Sequence, residues 1–357
     1  MKKISKKKSI SNLILPSIRK LKAYHIDPIS CGIKIDAMEN PFPLPEEIRE
    51  DICTAMNSVS LNRYPDPCAS LLKKTIGEFW NIEQNQMIVG NGSDELIQAI
   101  MLAFGGPIAI PSPTFAMYEI TAKALSLEVS KTPLNKDFSL NPDSLLKQAR
   151  ASKAKLIFLA CPNNPTGNRF SDEAIVRILE KTRAAVILDE AYFSFSGKTL
   201  LSLLDNYPNL IILRTLSKIG LAGLRLGVAL ASEEILGHLN KVRLPYNINA
   251  LSQATAIAAL KHRGILNQQI SKLISERERL YNALSSIEGI IAYPSEANFI
   301  LFKTKKDAAF VYARLKQADI LIKNMDRPGM LKNCLRVTVG TPEENDTFVT
   351  NMKKILS

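Results

Sequence analysis

Residues Leu210 to Gly227 read LIILRTLSKIGLAGLRLG. The apolar run Leu210 to Leu213 is cut off by Arg214-Thr215-Leu216-Ser217-Lys218, and a glycine-punctuated segment follows, with Gly220, Gly223 and Gly227 around Arg225. A short continuous apolar run reads as a buried strand, and the glycines mark a tight loop at its end. Lys218 in that loop has two readings. One is an ordinary solvated loop lysine. The other is a lysine kept for covalent chemistry, because a partly desolvated amine gives up its proton more readily and can condense with an aldehyde. Arg225 and the neighbouring Ser217 hydroxyl suit a phosphate group.

The pattern repeats on both sides of this stretch. Met87-Ile88-Val89 runs into Gly90-Asn91-Gly92-Ser93-Asp94-Glu95. A helix follows, with apolar residues at Leu96, Ile97, Ile100, Met101 and Phe104. A glycine turn at a helix start presents free N–H groups to an anion, although Ser93 or Asp94 could instead be a simple helix cap. Pro107 to Ile110 leads to Pro111-Ser112-Pro113-Thr114-Phe115. Leu156 to Leu159 leads to Cys161-Pro162-Asn163-Asn164-Pro165-Thr166-Gly167, and Ala185 to Leu188 to Asp189-Glu190-Ala191-Tyr192. Val228-Ala229-Leu230 predicts one more strand, running back along the sheet. Continuous apolar strands alternating with helices indicate an α/β fold with a mainly parallel sheet, covered by helices on both faces. Polar residues collect past the C-terminal ends of these strands, where such sheets place ligands.

Upstream, Glu39 to Pro45 is a proline-rich extended connection, and a helix begins at Pro45-Glu46-Glu47. Residues Met1 to Leu21 carry little periodic pattern. Downstream, Ala250 to Leu260 and Ile265 to Ile287 read as helices. A second α+β unit follows, with strands at Phe299 to Phe302, Ile320 to Ile322 and Leu335 to Val339 and a helix at Ala308 to Gln317. Thr341-Pro342-Glu343-Glu344 has the form of a capping box that starts a last helix. The expectation is a large domain over residues 50–250, and a small α+β domain built from both ends, residues 1–49 and 251–357.

The 357 residues carry a formal net charge of +12. That balance suits anionic small substrates or nucleic acid, but no helix-turn-helix, zinc-finger or RNP pattern occurs and aromatics are sparse. The Lys-rich start reads as a solvated arm. No stretch is long and apolar enough for a membrane span, and the first residues lack a secretory h-region. The five cysteines are scattered and form no C-x-x-C pair, and the three histidines stand far apart, which excludes a disulfide framework and argues against a metal site. The expectation is a soluble, cytoplasmic protein without metal, nucleic-acid or membrane partners.

Each strand end admits a bland role: Asp189 as a turn cap, Tyr192 as core padding, Asn164 as an Asx-turn before Pro165. Together with Ser93, Phe115, Ser217, Lys218 and Arg225, however, they suit one ligand bearing an aldehyde and a phosphate, which is pyridoxal phosphate. The motifs NGSDE, CPNNPTG, LDEAY and TLSKIGLAGLRLG, in this order, resemble the fold-type I pyridoxal-phosphate aminotransferases over nearly the whole chain. Within that superfamily, ENPFPLP, LNRYPD, PSPTFAMY and CLRVTVGTPEEN are most similar to the histidinol-phosphate aminotransferases.

The resemblance implies a role for each residue. Lys218 joins the cofactor aldehyde and shuttles the proton, Asp189 pairs with the ring nitrogen, and Asn164 and Tyr192 hydrogen-bond the ring oxygen. Phe115 stacks on the ring. Ser93, the Asp94 backbone, Ser217 and Arg225 hold the phosphate. Tyr64 reaches the phosphate of a neighbouring subunit, which implies a homodimer with shared sites. Arg336 binds the anionic end of the substrate, Lys323 replaces an arginine that some relatives carry for a substrate phosphate, and Tyr24 and Asn40 line the substrate mouth. The implied activity is ping-pong amino transfer between L-histidinol phosphate and 2-oxoglutarate in histidine biosynthesis. The alternatives are an aromatic aminotransferase or a phospho-amino-acid decarboxylase on the same scaffold, and a regulator that only senses the cofactor.

Overall fold

The computed structural model describes residues 10–23 and 31–357. Its strands, in chain order, are β1 (Ile33–Lys34), β2 (Met87–Asn91), β3 (Ile108–Ser112), β4 (Val129–Pro133), β5 (Leu156–Ala160), β6 (Ala185–Asp189) and β7 (Leu210–Thr215). They continue with β8 (Leu226–Leu230), β9 (Ile290–Ala292), β10 (Phe299–Thr304), β11 (Ile320–Leu321), β12 (Lys323–Asn324) and β13 (Cys334–Thr338).

Seven strands form the large sheet in the order β2-β8-β7-β6-β5-β3-β4. The pairs from β4 to β7 are parallel, whereas β8 runs antiparallel to both β7 and β2. The strand expected to run back along the sheet therefore does so. All residues of β5, β6, β7 and β8 are buried, and each face of the sheet carries its own apolar cluster. This is why these strands read as uninterrupted apolar runs. The edge strand β4, with sequence VSKTP, instead alternates buried and exposed positions, and it escaped the search for apolar runs.

The helices start where capping chemistry places them. Asn141, Ser171, Ser232, Asn249 and Asp307 each accept a hydrogen bond from a backbone N–H of the first turn. Thr341 and Glu344 form the expected capping box.

A four-stranded antiparallel sheet, β12-β13-β10-β9, forms the second unit. The apolar triplet Ile320 to Ile322 is not one strand. Only Ile320 and Leu321 form a strand, β11, which pairs with β1 far upstream; β12 begins after Ile322 and pairs with β13. The 23-residue helix Arg263–Ser285 lies between the two sheets in the chain. Its buried Arg277 donates to the carbonyls of Phe195 and Ala297 at 3.3 and 3.2 Å, tying a segment after β6 to the segment before β10. Near the start, a 3-10 turn at Ile10–Leu13 and a helix at Pro16–Lys20 form despite the weak pattern there, with Ile10, Leu13 and Leu15 exposed.

One buried ion pair bears on the site. Arg214 of β7 and Glu190, which follows β6, are each 1% exposed. The Arg214 Nε and Nη2 donate to Glu190 Oε2 at 3.1 and 2.9 Å. Thr199 and the Leu200 N–H also donate to this carboxylate, and the guanidinium lies 3.8 Å from the Phe193 ring centroid. Removing one member of such a pair typically costs about 3–5 kcal/mol, because the other charge is left buried alone. The multiply hydrogen-bonded pair anchors the ends of β6 and β7 to each other close to Asp189 and Lys218.

Candidate active site

The C-terminal ends of β6 and β7 deliver Asp189 and the 3-10 turn Ser217–Ile219 into one cavity of about 380 Å³. Ser93, Asp94, Phe115, Asn164, Tyr192 and Arg225 line the same cavity. All the residues assigned to one cofactor therefore meet at one place, except Tyr64.

At one end lies the start of the helix Ser93–Phe104. Its N-cap is Gly92, at φ +81°, and no side chain caps it. The alternative reading of Ser93 or Asp94 as a simple cap is thus not what forms, and the first-turn N–H groups stay available for an anion. The packing here is very close. A Cβ on Gly227 would lie 2.5 Å from the Ser93 nitrogen, and one on Gly92 would lie 2.7 Å from Arg225 Nη2. Arg225, at φ +53°, reaches Asp94 Oδ2 at 3.5 Å. Ser217 is buried, and its hydroxyl lies 2.9 Å from that of Thr215.

At the other end Asp189 is 4% exposed. Its Oδ2 accepts from the Tyr118 hydroxyl at 2.6 Å and its Oδ1 from the Ala191 N–H at 3.1 Å. Burial pushes its carboxyl up to about 6 against the pull of these donors. At neutral pH it is still ionised. Between the two ends sits Lys218. Its Nζ donates to the Ala37 carbonyl at 3.4 Å and lies 5.8 Å from the Tyr192 ring centroid. Burial first, and then the Arg336 charge, bring its amine down to about 8.

The Asn164 amide nitrogen donates to the Tyr192 hydroxyl at 3.2 Å, and its oxygen accepts from Arg336 Nη1 at 2.6 Å. Burial raises the Tyr192 phenol. Arg336, on β13, also donates to the Asp36 carbonyl at 2.9 Å and lies 5.2 Å from the Phe299 ring centroid. A second cavity of about 540 Å³ adjoins the first, sharing Met38, Phe115, Asn164 and adding Lys323, Arg327 and Arg336. Lys323 is the register partner of Arg336. Directly opposed residues of an antiparallel pair point to the same face, so two cations stand side by side there.

Two expected residues lie outside the cofactor cavity and the cleft beside it. Tyr64 is 81% exposed and stacks on Tyr246 at 4.5 Å, away from the cavity of its own chain. Asn40 donates to Gln269 Oε1 at 2.9 Å and accepts from the Phe42 N–H, and its neighbours Ala37, Met38 and Glu39 line the cofactor cavity in its place. Tyr24 lies outside the described residues. Reading the sequence also missed Tyr118, which sits one helical turn after Phe115. Its signal was the Phe-x-x-Tyr spacing at the start of a helix, which puts both rings on one side.

Residues 32–352 match the aminotransferase class I and II family. The chain belongs to that family. Within it, the chain is 43% identical to a histidinol-phosphate aminotransferase of Caldanaerobacter subterraneus, over 98% of this chain and all of that one. It is 44% identical to histidinol-phosphate aminotransferase 2 of Nitrosococcus oceani, over 97% of this chain and 98% of that one. The fold matches the crystal structure of histidinol-phosphate aminotransferase from Sinorhizobium meliloti in complex with pyridoxal-5'-phosphate. That match has a TM-score of 0.87 and 23% identity, covering 96% and 97% of the two chains.

This aminotransferase is a pyridoxal-phosphate enzyme, and its residues fit the cofactor. The uncapped helix start and Arg225 suit the phosphate. An enclosed amine and a buried carboxylate face one cavity. No helix among the described residues is long and apolar enough to cross a membrane.

Proposed function

We propose that this aminotransferase moves the amino group between L-histidinol phosphate and 2-oxoglutarate, a step of histidine biosynthesis, in the cytoplasm. The observation that carries the substrate assignment is the cationic pair Arg336 and Lys323, side by side where the cofactor cavity opens into the larger cleft. The full-length relatives bearing this activity in their names support it.

Bound in the cavity, pyridoxal phosphate supplies an aldehyde that takes up the substrate amine and a ring that accepts the electrons left on the substrate carbon. In this reading Lys218 anchors the cofactor through its amine. The same amine, when free, would hold and return a proton at Nζ, for which a value near 8 is well matched to neutral conditions. Asp189, ionised and buried, holds the ring nitrogen protonated. Asn164 and Tyr192 donate to the ring oxygen, and Phe115 covers the ring face. Ser93, the Asp94 backbone, Ser217 and Arg225 hold the phosphate. Arg336 forks onto the anionic end of the substrate, a phosphate in one half-reaction and a carboxylate in the other. Lys323 adds a second charge for the phosphate.

The site is read as sitting between a large domain, residues 50–250, and a small one built from residues 1–49 and 251–357. The active unit is read as a homodimer. Tyr64, exposed and lining one surface hollow with Leu61 and Tyr246, then completes the partner's phosphate site. Kinetics test the assignment. L-histidinol phosphate is expected to give a kcat/KM at least about a hundredfold above that of phenylalanine or tyrosine, a difference of roughly 3 kcal/mol that matches one well-paired anionic group. Lys323→Ala should remove most of this preference by raising KM for the phosphorylated amine only. Equal turnover of phenylalanine would overturn the substrate assignment while leaving the enzyme class standing. Sedimentation should give twice the 39.5 kDa chain mass.

A further inference from the structure

We propose that Tyr118 is a positioning residue for the cofactor. Its hydroxyl aims and ionises the Asp189 carboxylate, and its ring sets the angle of Phe115. The proposal rests on the reading of Asp189 as the partner of the ring nitrogen.

Tyr118 is fully buried, and its hydroxyl lies 2.6 Å from Asp189 Oδ2. The only other hydrogen bond to that carboxylate among the described residues is from the Ala191 N–H to Oδ1, at 3.1 Å, and no lysine or arginine pairs with it. A carboxylate this deep needs donors to stay charged. The backbone N–H holds one oxygen, and Tyr118 holds the other. The two donors fix the carboxylate plane before any ligand arrives.

The tyrosine is itself held rigidly. Its ring stacks on Phe158 of β5, with centroids 4.9 Å apart and planes at 29°. It meets the Phe115 ring edge-on, at 5.4 Å and 87°. Phe115 is the N-cap residue of the helix Ala116–Ala124, and Tyr118 stands in the first turn of that helix. One side chain thus links the strand that carries Phe158, the carboxylate at the end of β6, and the aromatic ring that lines the cavity. A hydroxyl whose only task was to be satisfied in a core would not need an ionised acceptor at the ligand-facing end of a strand.

Tyr118→Phe removes the hydroxyl and keeps both ring contacts. The expected holoenzyme binds pyridoxal phosphate about tenfold or more weakly, in line with loss of a hydrogen bond to a charged group. Its kcat falls by a similar factor, with KM within about twofold. The pH midpoint of the visible band of the bound cofactor moves upward, because a less firmly protonated ring nitrogen withdraws fewer electrons from the lysine-linked nitrogen. Phe158→Leu loosens the ring packing but keeps the hydroxyl, so its pH midpoint should stay at the wild-type value. A wild-type midpoint and affinity in Tyr118→Phe, or an equal midpoint shift in Phe158→Leu, would overturn the proposal. Asp189→Asn separates the two levels. If it too leaves the midpoint unmoved, the role of Asp189 fails. If it shifts the midpoint and Tyr118→Phe does not, only the role of Tyr118 fails.

Discussion

Lys218→Ala is expected to abolish amino transfer, with kcat falling by about five orders of magnitude or more, the scale seen when a covalent catalytic group is deleted. The purified wild-type protein should be yellow, and the variant should lack the wild-type visible band even with pyridoxal phosphate added in excess. The variant should still fold. Its lost amine made, among the described residues, one 3.4 Å hydrogen bond to the Ala37 carbonyl and a 5.8 Å approach to the Tyr192 ring, and the surrounding cluster of apolar side chains is untouched. The pH dependence of reloading gives an independent check. The amine reacts when neutral, and burial has brought it down to about 8 from an ordinary value of 10.5. Reloading of the apoenzyme should therefore speed up as pH rises towards 8 and level off above it, not near 10.5. At pH 7 roughly a tenth of the amine is already neutral. A variant that keeps the wild-type band would place the covalent link at another lysine.

Asp189→Asn is expected to give the second largest loss. The substitution keeps the shape and leaves a hydrogen-bonding group for Tyr118 and Ala191, but it removes the buried carboxylate charge proposed to partner the ring nitrogen. Loss of a preorganised electrostatic group in an enclosed site costs about 100- to 1000-fold in kcat, and the effect here should reach the upper end because Asp189 is 4% exposed. The carboxyl in the free protein titrates at about 6. Between its ordinary value near 4 and that point, the folded protein binds a proton that the unfolded chain has released. Asp189 therefore costs stability as pH rises from about 4 to 6, and the penalty persists at neutral pH. The asparagine variant should accordingly melt at the same temperature as wild type or higher near pH 7 in the apo form, while turning over far more slowly. Unchanged kcat in a well-folded variant would remove Asp189 from the chemistry.

These two side chains were legible in the sequence for a simple reason. Asp189 stands directly after a continuous apolar run and Lys218 a few residues past the next one, and in a sheet buried on both faces such runs end where the ligand sits. The same logic located Ser93, Asn164, Tyr192, Ser217 and Arg225. It failed where the signal is not carried by one strand. β4, with sequence VSKTP, is an edge strand with one wet face, so its pattern is mixed. Ile320 to Ile322 looked like a single strand because hydrophobicity does not tell which partner a backbone chooses, and the chain there switches from β1 to β13. The long-range amide pair between Asn40 and Gln269 likewise has no local signal in the sequence.

By itself, the sequence determined most of the order of strands and helices and the ends at which the polar groups gather, which local periodicity and turn chemistry carry. The choice of the Lys218 amine and the Asp189 carboxylate came from motifs that resemble the aminotransferases. Only the tertiary structure decided which groups touch. The Tyr118 hydroxyl on the Asp189 carboxylate, Arg336 on Asn164 across 172 positions, and Lys323 beside Arg336 are contacts between elements far apart in the chain. The shifts that make an amine near 8 and a carboxyl near 6 also come from burial, which no stretch of residues possesses until the sheet has closed around it.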